Sequence, residues 1–172
     1  MKRRNRKVTF IVTAAMIAAL YVVLSYVSHA FGLASGAIQI RISEALTILP
    51  VFTPAAIPGV TIGCLLFNLL SGAPAPDVVF GTIASLLGAL GTHRIAKLLK
   101  GRKVMPYLLA VPPIFSNACI IPWVLKVAYH LSETYWYFFI TVGLGEVISC
   151  GVFGIILYFS VKPFANSLFR HI

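Results

Sequence analysis

Apolar residues fall into six runs along the chain, over 8–28, 42–52, 55–70, 78–93, 104–127 and 135–161, with short polar joints between them. A helix that crosses a bilayer needs about 20 apolar residues. The first, fifth and sixth runs reach that length. The second, third and fourth are short or interrupted, and Pro50, Pro54 and Pro58 punctuate the join between two of them. Between 42 and 70 the pattern therefore reads as one long broken helix or as two shorter ones.

The basic residues decide between these. Lys2, Arg3, Arg4, Arg6 and Lys7 form one group, Arg94, Lys97, Lys100, Arg102 and Lys103 a second, and Lys162 and Arg170 a third. The positive-inside rule puts all three in the cytoplasm. The first two groups share a side only if an even number of crossings separates them. Two crossings between 42 and 70 satisfy this; one would strand five basic residues outside. The expectation is an all-α integral membrane protein of six transmembrane helices, a single domain over 1–172, multi-pass in the cell membrane with both termini cytoplasmic. The basic head and first run have the outline of a signal peptide. However, 8–28 is long enough to span and further spans follow, so a retained first helix is expected.

Composition agrees with that reading. Hydrophobic residues make up 59% of the 172 and charged residues 10%. A soluble domain carries about 25% charged residues, and so few charges cannot coat a globule of this size. The 14 Lys and Arg against 4 Asp and Glu give a net charge of +10. Most of the chain carries no basic residue, which argues against a nucleic-acid binder. Cys64, Cys119 and Cys150 all lie in apolar runs without CxxC partners and read as packing residues rather than a disulfide framework.

Setting aside the cytoplasmic clusters leaves the informative charges. Arg41, Glu44, Asp77, Lys126 and Glu133 fall at or near the outer ends of spans. Glu146 stands 11 residues past Tyr135, roughly 16 Å deep at 1.5 Å per residue. A charged side chain at mid-span costs about 2.5–3.5 kcal/mol, so Glu146 is expected to face a cavity or a partner. Its surroundings, Val142-Gly-Leu-Gly-Glu-Val-Ile-Ser-Cys-Gly, are rich in small residues. Arg41 and Glu44, three apart, either pair on one helix face or stand at the mouth of a cavity. Ser43 is a candidate helix N-cap. Asn68 and Asn117 read as interhelical hydrogen-bonding groups, and Asp77 as the cap of the fourth helix. Trp123, Tyr129, Tyr135, Trp136 and Tyr137 form an interfacial aromatic belt or a stacking surface for a flat ring. On the first helix Ala14 lies over Ala18 and Ala15 over Ala19, small-residue ridges suited to close helix contact, as is Gly59-x-x-x-Gly63.

Several chemistries have no sequence support. The chain has no Walker A motif, no HExxH, no GxSxG and no TVGYG filter, and His29, His93, His130 and His171 are scattered. No metal site and no catalysis are expected.

Five segments carry a family resemblance: Gly36-Ala-Ile-Gln-Ile-Arg-Ile-Ser-Glu-Ala-Leu-Thr-Ile-Leu-Pro, Pro58-Gly-Val-Thr-Ile-Gly-Cys-Leu-Leu-Phe-Asn-Leu-Leu, Asp77-Val-Val-Phe-Gly-Thr, Leu86-Leu-Gly-Ala-Leu-Gly-Thr and Gly143-Leu-Gly-Glu-Val-Ile-Ser-Cys-Gly. With the basic head and the alanine ridge, they resemble the QueT family of energy-coupling-factor (ECF) transporter S components, over about 14–161. The resemblance implies an ECF S-component-like bundle that captures a micronutrient in an outward-facing pocket beneath the loop after the first helix. The partners it implies are an ECF T component and two cytoplasmic ABC-type ATPases. Those ATPases use the ATP, and this chain needs no cofactor.

The implied ligand is a 7-deazaguanine: preQ0, preQ1 or queuine. Ala14 and Ala18 match the family's docking ridge, with Ala15 and Ala19 as the alternative register. For the ligand, Glu146 is the first candidate to accept the N1–H and amino donors of the base, and Glu44 the second. Asn117 would read the carbonyl or ring nitrogens. A charged aminomethyl group needs another acid, Glu44 or Asp77. Arg41, Asn68, Trp123 and Lys126 complete the candidate set. The rival readings are an S component for another vitamin or heterocycle, a stand-alone carrier or channel, and a structural membrane protein.

Overall fold

A computed structural model describes residues 2–33, 39–102 and 104–169, with side chains from Arg6 onward. The side chains of Lys2, Arg3 and Arg4, residues Lys103, Arg170 and His171, and the 36–38 portion of the first family-like segment lie outside the described set. The elements are helices α1 (Lys2–Ala30), α2 (Ala56–Leu70), α3 (Ala75–Leu98), α4 (Met105–Leu108), α5 (Val111–Ala128), α6 (Tyr135–Glu146), α7 (Gly154–Val161) and α8 (Ala165–Leu168). A 3-10 helix (Ile42–Val51) precedes α2, and a π-helical segment (Val147–Phe153) joins α6 to α7. No strand occurs among the described residues.

Helix α1 shows why the bundle suits lipid. Ala14, Ile17, Ala18 and Tyr21 are buried, a stripe at helical spacing, while Ile11, Val12, Met16 and Leu20 point outward. An outer face this apolar is stable against hydrocarbon rather than water. The buried stripe packs on α2 at two glycines. A Cβ at Gly59 would lie 2.9 Å from Ile17, and one at Gly63 would lie 2.6 Å from Tyr21 Cβ. Ala14 and Ala18 are therefore buried against α2, and the exposed pair is Ala15 and Ala19. Helices α3 and α5 close similarly, with Gly88 and Gly91 against Pro113 and Pro112.

Four helical stretches are long and apolar enough to cross a membrane: Arg6–Ala30, Ala75–Leu98, Met105–Ala128 and Tyr135–Leu168. Two shorter apolar helices, Ile42–Val51 and Ala56–Leu70, accompany them. The expected second crossing, over 42–52, takes the form of this 3-10 helix. At about 2.0 Å per residue its ten residues reach about 20 Å, short of the roughly 30 Å hydrocarbon core. Ser43 through Pro50 are all buried, so the segment is a strut inside the bundle. Two expected caps are corrected. The Ser43 hydroxyl accepts from Ser25 Oγ at 2.7 Å, and α3 begins after Pro74, which places Asp77 within its first turn. There the carboxylate still favours the positive end of the helix dipole.

Candidate functional site

Two adjoining cavities occupy one end of the bundle. Their walls take His29 from the end of α1 and Asp77 from the start of α3, whereas Arg6 and Lys7 begin α1 and Arg94 and Lys97 end α3. The site thus lies at the opposite end from these basic residues. The wider cavity, a vestibule of about 380 Å³, is bounded by His29, Arg41, Phe67, Asn68, Asp77 and Tyr129 among others. The other is a small chamber of about 20 Å³ walled by Glu44, Glu146, Asn117, Cys64, Gly81, Ser85 and Val142. Gln39, Arg41 and Ile121 belong to both walls.

The shared wall is pinned by backbone contacts. Ile40 N donates to Leu33 O at 2.8 Å, Arg41 N to Ser149 Oγ at 3.1 Å and Ile42 N to Ser28 Oγ at 2.8 Å. This extended stretch lies directly on α6 at Gly145, where a Cβ would stand 2.0 Å from Gln39 O. Only glycine permits that approach, and the next residue is Glu146. The π-helical turn after Glu146 then brings Ser149 and Cys150 into the bundle. An extra residue in the turn re-aims side chains in this way at many functional sites.

Inside the chamber Tyr21 OH donates to Glu44 Oε1. Cys150 Sγ donates to Glu146 Oε2 at 3.1 Å. One oxygen of each carboxyl and the Cys150 sulfur lie within 4.8 Å of one another. This is a mixed set of two hard carboxylates and one soft thiol without an imidazole, and the thiol hydrogen is already given to Glu146. We read it as a hydrogen-bonded cluster rather than a metal centre. Three buried polar atoms of the described residues have no partner: Glu44 Oε2, Asn117 Nδ2 and Asn68 Oδ1. Each such atom costs about 1–3 kcal/mol until something satisfies it. All three residues stand on the cavity walls.

The structure sorts the remaining candidates. Asn68 Nδ2 donates to the Asp77 backbone carbonyl at 3.3 Å, tying α2 to α3. Asp77 Oδ2 accepts from Tyr129 OH at 2.7 Å. Burial, with the Asp77 carboxylate beside it, holds the Tyr129 phenol well above its usual pKa, so it remains a donor at neutral pH. Arg41 does not close on Glu44; its guanidinium lies 6.0 Å from the Phe67 ring centroid.

Trp123 and Lys126 leave the candidate site. Asn117, Ile121 and Leu125 supply the cavity face of α5 at four-residue spacing. That turns Trp123 about 200° and Lys126 about 140° away from Ile121 at its centre. Both are exposed, and Trp123 meets Phe80 edge-on. Gln39, Cys64, Ser85, Tyr21 and Cys150 join the site beyond the sequence reading. Cys64 sits one turn from Asn68, and Ser85 two turns from Asp77, a spacing that would have found both. Tyr21 gave the signal of lying on the Ala14–Ala18 stripe.

A family model describing QueT transporters matches residues 11–163. The chain belongs to the QueT transporter family. A relative from Lactococcus lactis subsp. cremoris (strain MG1363), called queuosine precursor transporter QueT, is 38% identical over 84 residues. The match covers 49% of this chain and 49% of that relative, so the aligned region spans about half the length of the curated protein. No solved structure matches. QueT proteins are named as transporters, which are not enzymes. With four long apolar helices, this QueT family member is a multi-pass membrane protein.

Proposed function

We propose that the chain is the substrate-binding S component of an ECF importer and captures a 7-deazaguanine queuosine precursor, preQ0, preQ1 or queuine, from outside the cell. The observation that carries this is the pair of unsatisfied atoms at the chamber, the acceptor Glu44 Oε2 and the donor Asn117 Nδ2, with Glu146 alongside. The pairing edge of a 7-deazaguanine presents a carbonyl acceptor beside an N1–H and an exocyclic amino group. A carboxylate accepts the two donors together, and Asn117 Nδ2 gives its hydrogen to the carbonyl. Charge-assisted two-point bonds of this kind are strong and geometrically selective. The Lactococcus relative, a queuosine precursor transporter by name, supports the same ligand class.

The chamber's 20 Å³ holds about one water. The ring therefore enters from the vestibule and displaces the shared wall of Gln39, Arg41 and Ile121. The parity of the basic clusters supports six crossings with both termini in the cytoplasm, the two short apolar helices completing the set. That orientation turns the cavities outward. The exposed Ala15–Ala19 ridge is then the surface offered to the T component, whose two ATPases use the ATP.

A ligand-stabilisation screen on purified protein tests the reading. The compounds are preQ0, preQ1, queuine, guanine, riboflavin, thiamine and biotin. A rise in Tm with deazaguanines, lost in Glu146→Gln and Glu44→Gln, is expected. Stabilisation by a flavin or thiamine alone overturns the ligand. Uptake into vesicles containing no ATPase overturns the S-component role in favour of a stand-alone carrier.

A further inference from the structure

The chamber and the vestibule differ in what they leave unsatisfied, and the vestibule's demand is for hydrogen donors. Asn68, 1% exposed, has its Nδ2 committed to α3 and its Oδ1 unpartnered. Asp77, 5% exposed, gives one carboxylate oxygen to Tyr129. Both residues converge on Gly81, where a Cβ would stand 3.0 Å from Asn68 Nδ2 and 3.3 Å from Asp77 Oδ1. Gly81 also lines the small chamber, so these groups stand at the seam between the two cavities.

Charge points the same way. Among the described residues the joined walls carry three carboxyls, Glu44, Glu146 and Asp77, and one guanidinium, Arg41, with His29 as the other basic side chain. An oxygen of Glu44 and one of Glu146 lie within 4.8 Å of one another, and carboxyls that close share a proton, so with Asp77 ionised and Arg41 charged an excess of one negative charge is left. The Arg41 charge acts on both Asp77 and Glu44, so neither cavity has it alone. A buried charge excess of this sign is relieved by a cation.

We propose that the Asp77–Asn68 wall of the vestibule is a second subsite, which takes a primary ammonium on the substituent of the ligand whose ring edge is held in the chamber. The inference rests on the base reading above and assigns the acid the sequence left open. Glu44 stands in the chamber with the ring, and Asp77 stands outside with the substituent. The ammonium donates to Asp77 and to Asn68 Oδ1, while a nitrile at the same position offers neither wall a donor. The 380 Å³ of the vestibule lies in the range of small-molecule pockets and accommodates substituents larger than aminomethyl.

The experiment measures dissociation constants of the purified chain for 7-deazaguanine and its 7-methyl, 7-cyano, 7-hydroxymethyl and 7-aminomethyl derivatives. The aminomethyl compound is expected to bind at least tenfold tighter than the methyl and cyano compounds, with hydroxymethyl between. In Asp77→Asn, which can still accept from Tyr129, the aminomethyl-to-cyano ratio is expected to fall at least tenfold. Equal affinities across the series in the wild-type chain overturn the subsite even if the variant fails to fold. An unchanged ratio in a folded Asp77→Asn overturns it as well. Either result leaves the base reading standing. Failure of every compound, the unsubstituted base included, overturns both.

Discussion

The two ends of the bundle are built to different standards. At the end carrying Arg94 and Lys97, polar groups are spent on the backbone of neighbouring elements. Thr92 Oγ1 donates to Leu109 O at 2.9 Å, and His93 Nδ1 meets Pro50 O at 2.9 Å. Ile48, Ala96, Leu109 and Tyr158 form an apolar cluster there, and Gly91 accepts Pro112 at contact distance. At the other end the same helices enclose two cavities and three unsatisfied buried polar atoms. One end is optimised for packing. The other gives up packing and hydrogen bonds that a ligand can return. A binding site kept empty in this way is less stable than the scaffold permits, a common trade between stability and function.

The largest break in that contrast is expected from Gly145→Ala. The new Cβ meets backbone rather than a flexible side chain, 2.0 Å from Gln39 O. The 39–41 stretch must lift away from α6 and carry Arg41 off both cavity walls. Loss of all ligand-dependent stabilisation is expected, read as a Tm that no longer responds to deazaguanine. The matching change at the packed end is Gly91→Ala, 2.4 Å from Pro112 Cβ. Overpacking there lowers stability by about 1–3 kcal/mol while the folded fraction still binds. Equal loss of binding in both variants would collapse the distinction between the ends.

Tyr21→Phe probes the seam between scaffold and site. The tyrosine ring packs in the core with Ile17 and Val60, while its hydroxyl serves Glu44 Oε1. Deleting the hydroxyl leaves both Glu44 oxygens without a protein partner. A loss of about 1–3 kcal/mol follows in the empty protein, checked by thermal unfolding in detergent. Binding falls as well, because the carboxylate is no longer held in one position.

These contrasts also mark what the sequence could carry. The six apolar runs and the prolines around Pro54 placed nearly every helix, because hydrophobic length is a one-dimensional signal. The 3-10 form was hidden: Ile42–Val51 reads as a short apolar run, and only its neighbours show that they enclose it. Glu44, Glu146 and Asn117 were legible as polar residues in apolar runs, where a group needs a partner to exist. Trp123 and Lys126 misled for the opposite reason. They are polar or aromatic at a span end, where the interface explains them, and only the facing of Asn117 and Ile121 reveals that they point outward. Which alanine ridge is buried was undecidable before Gly59 and Gly63 were seen to occupy one of the two.

Asn117→Leu should sharpen the comparison with a smaller effect of opposite signs in two assays. Leucine keeps the branched outline of asparagine, with two methyl groups in place of the amide oxygen and nitrogen, and it removes a donor that has no partner in the empty protein. Replacing an unsatisfied buried polar group by an apolar one of similar shape is neutral or stabilising, here by up to about 1 kcal/mol. The ligand's carbonyl then loses its donor and is itself buried unpaired, so deazaguanine affinity falls about tenfold or more. A variant that is at least as stable when empty, yet binds more weakly, is what a site held open for a ligand requires. If Asn117→Leu instead destabilises the empty protein, its side chain serves the scaffold, and the two ends are less different than their unsatisfied atoms imply.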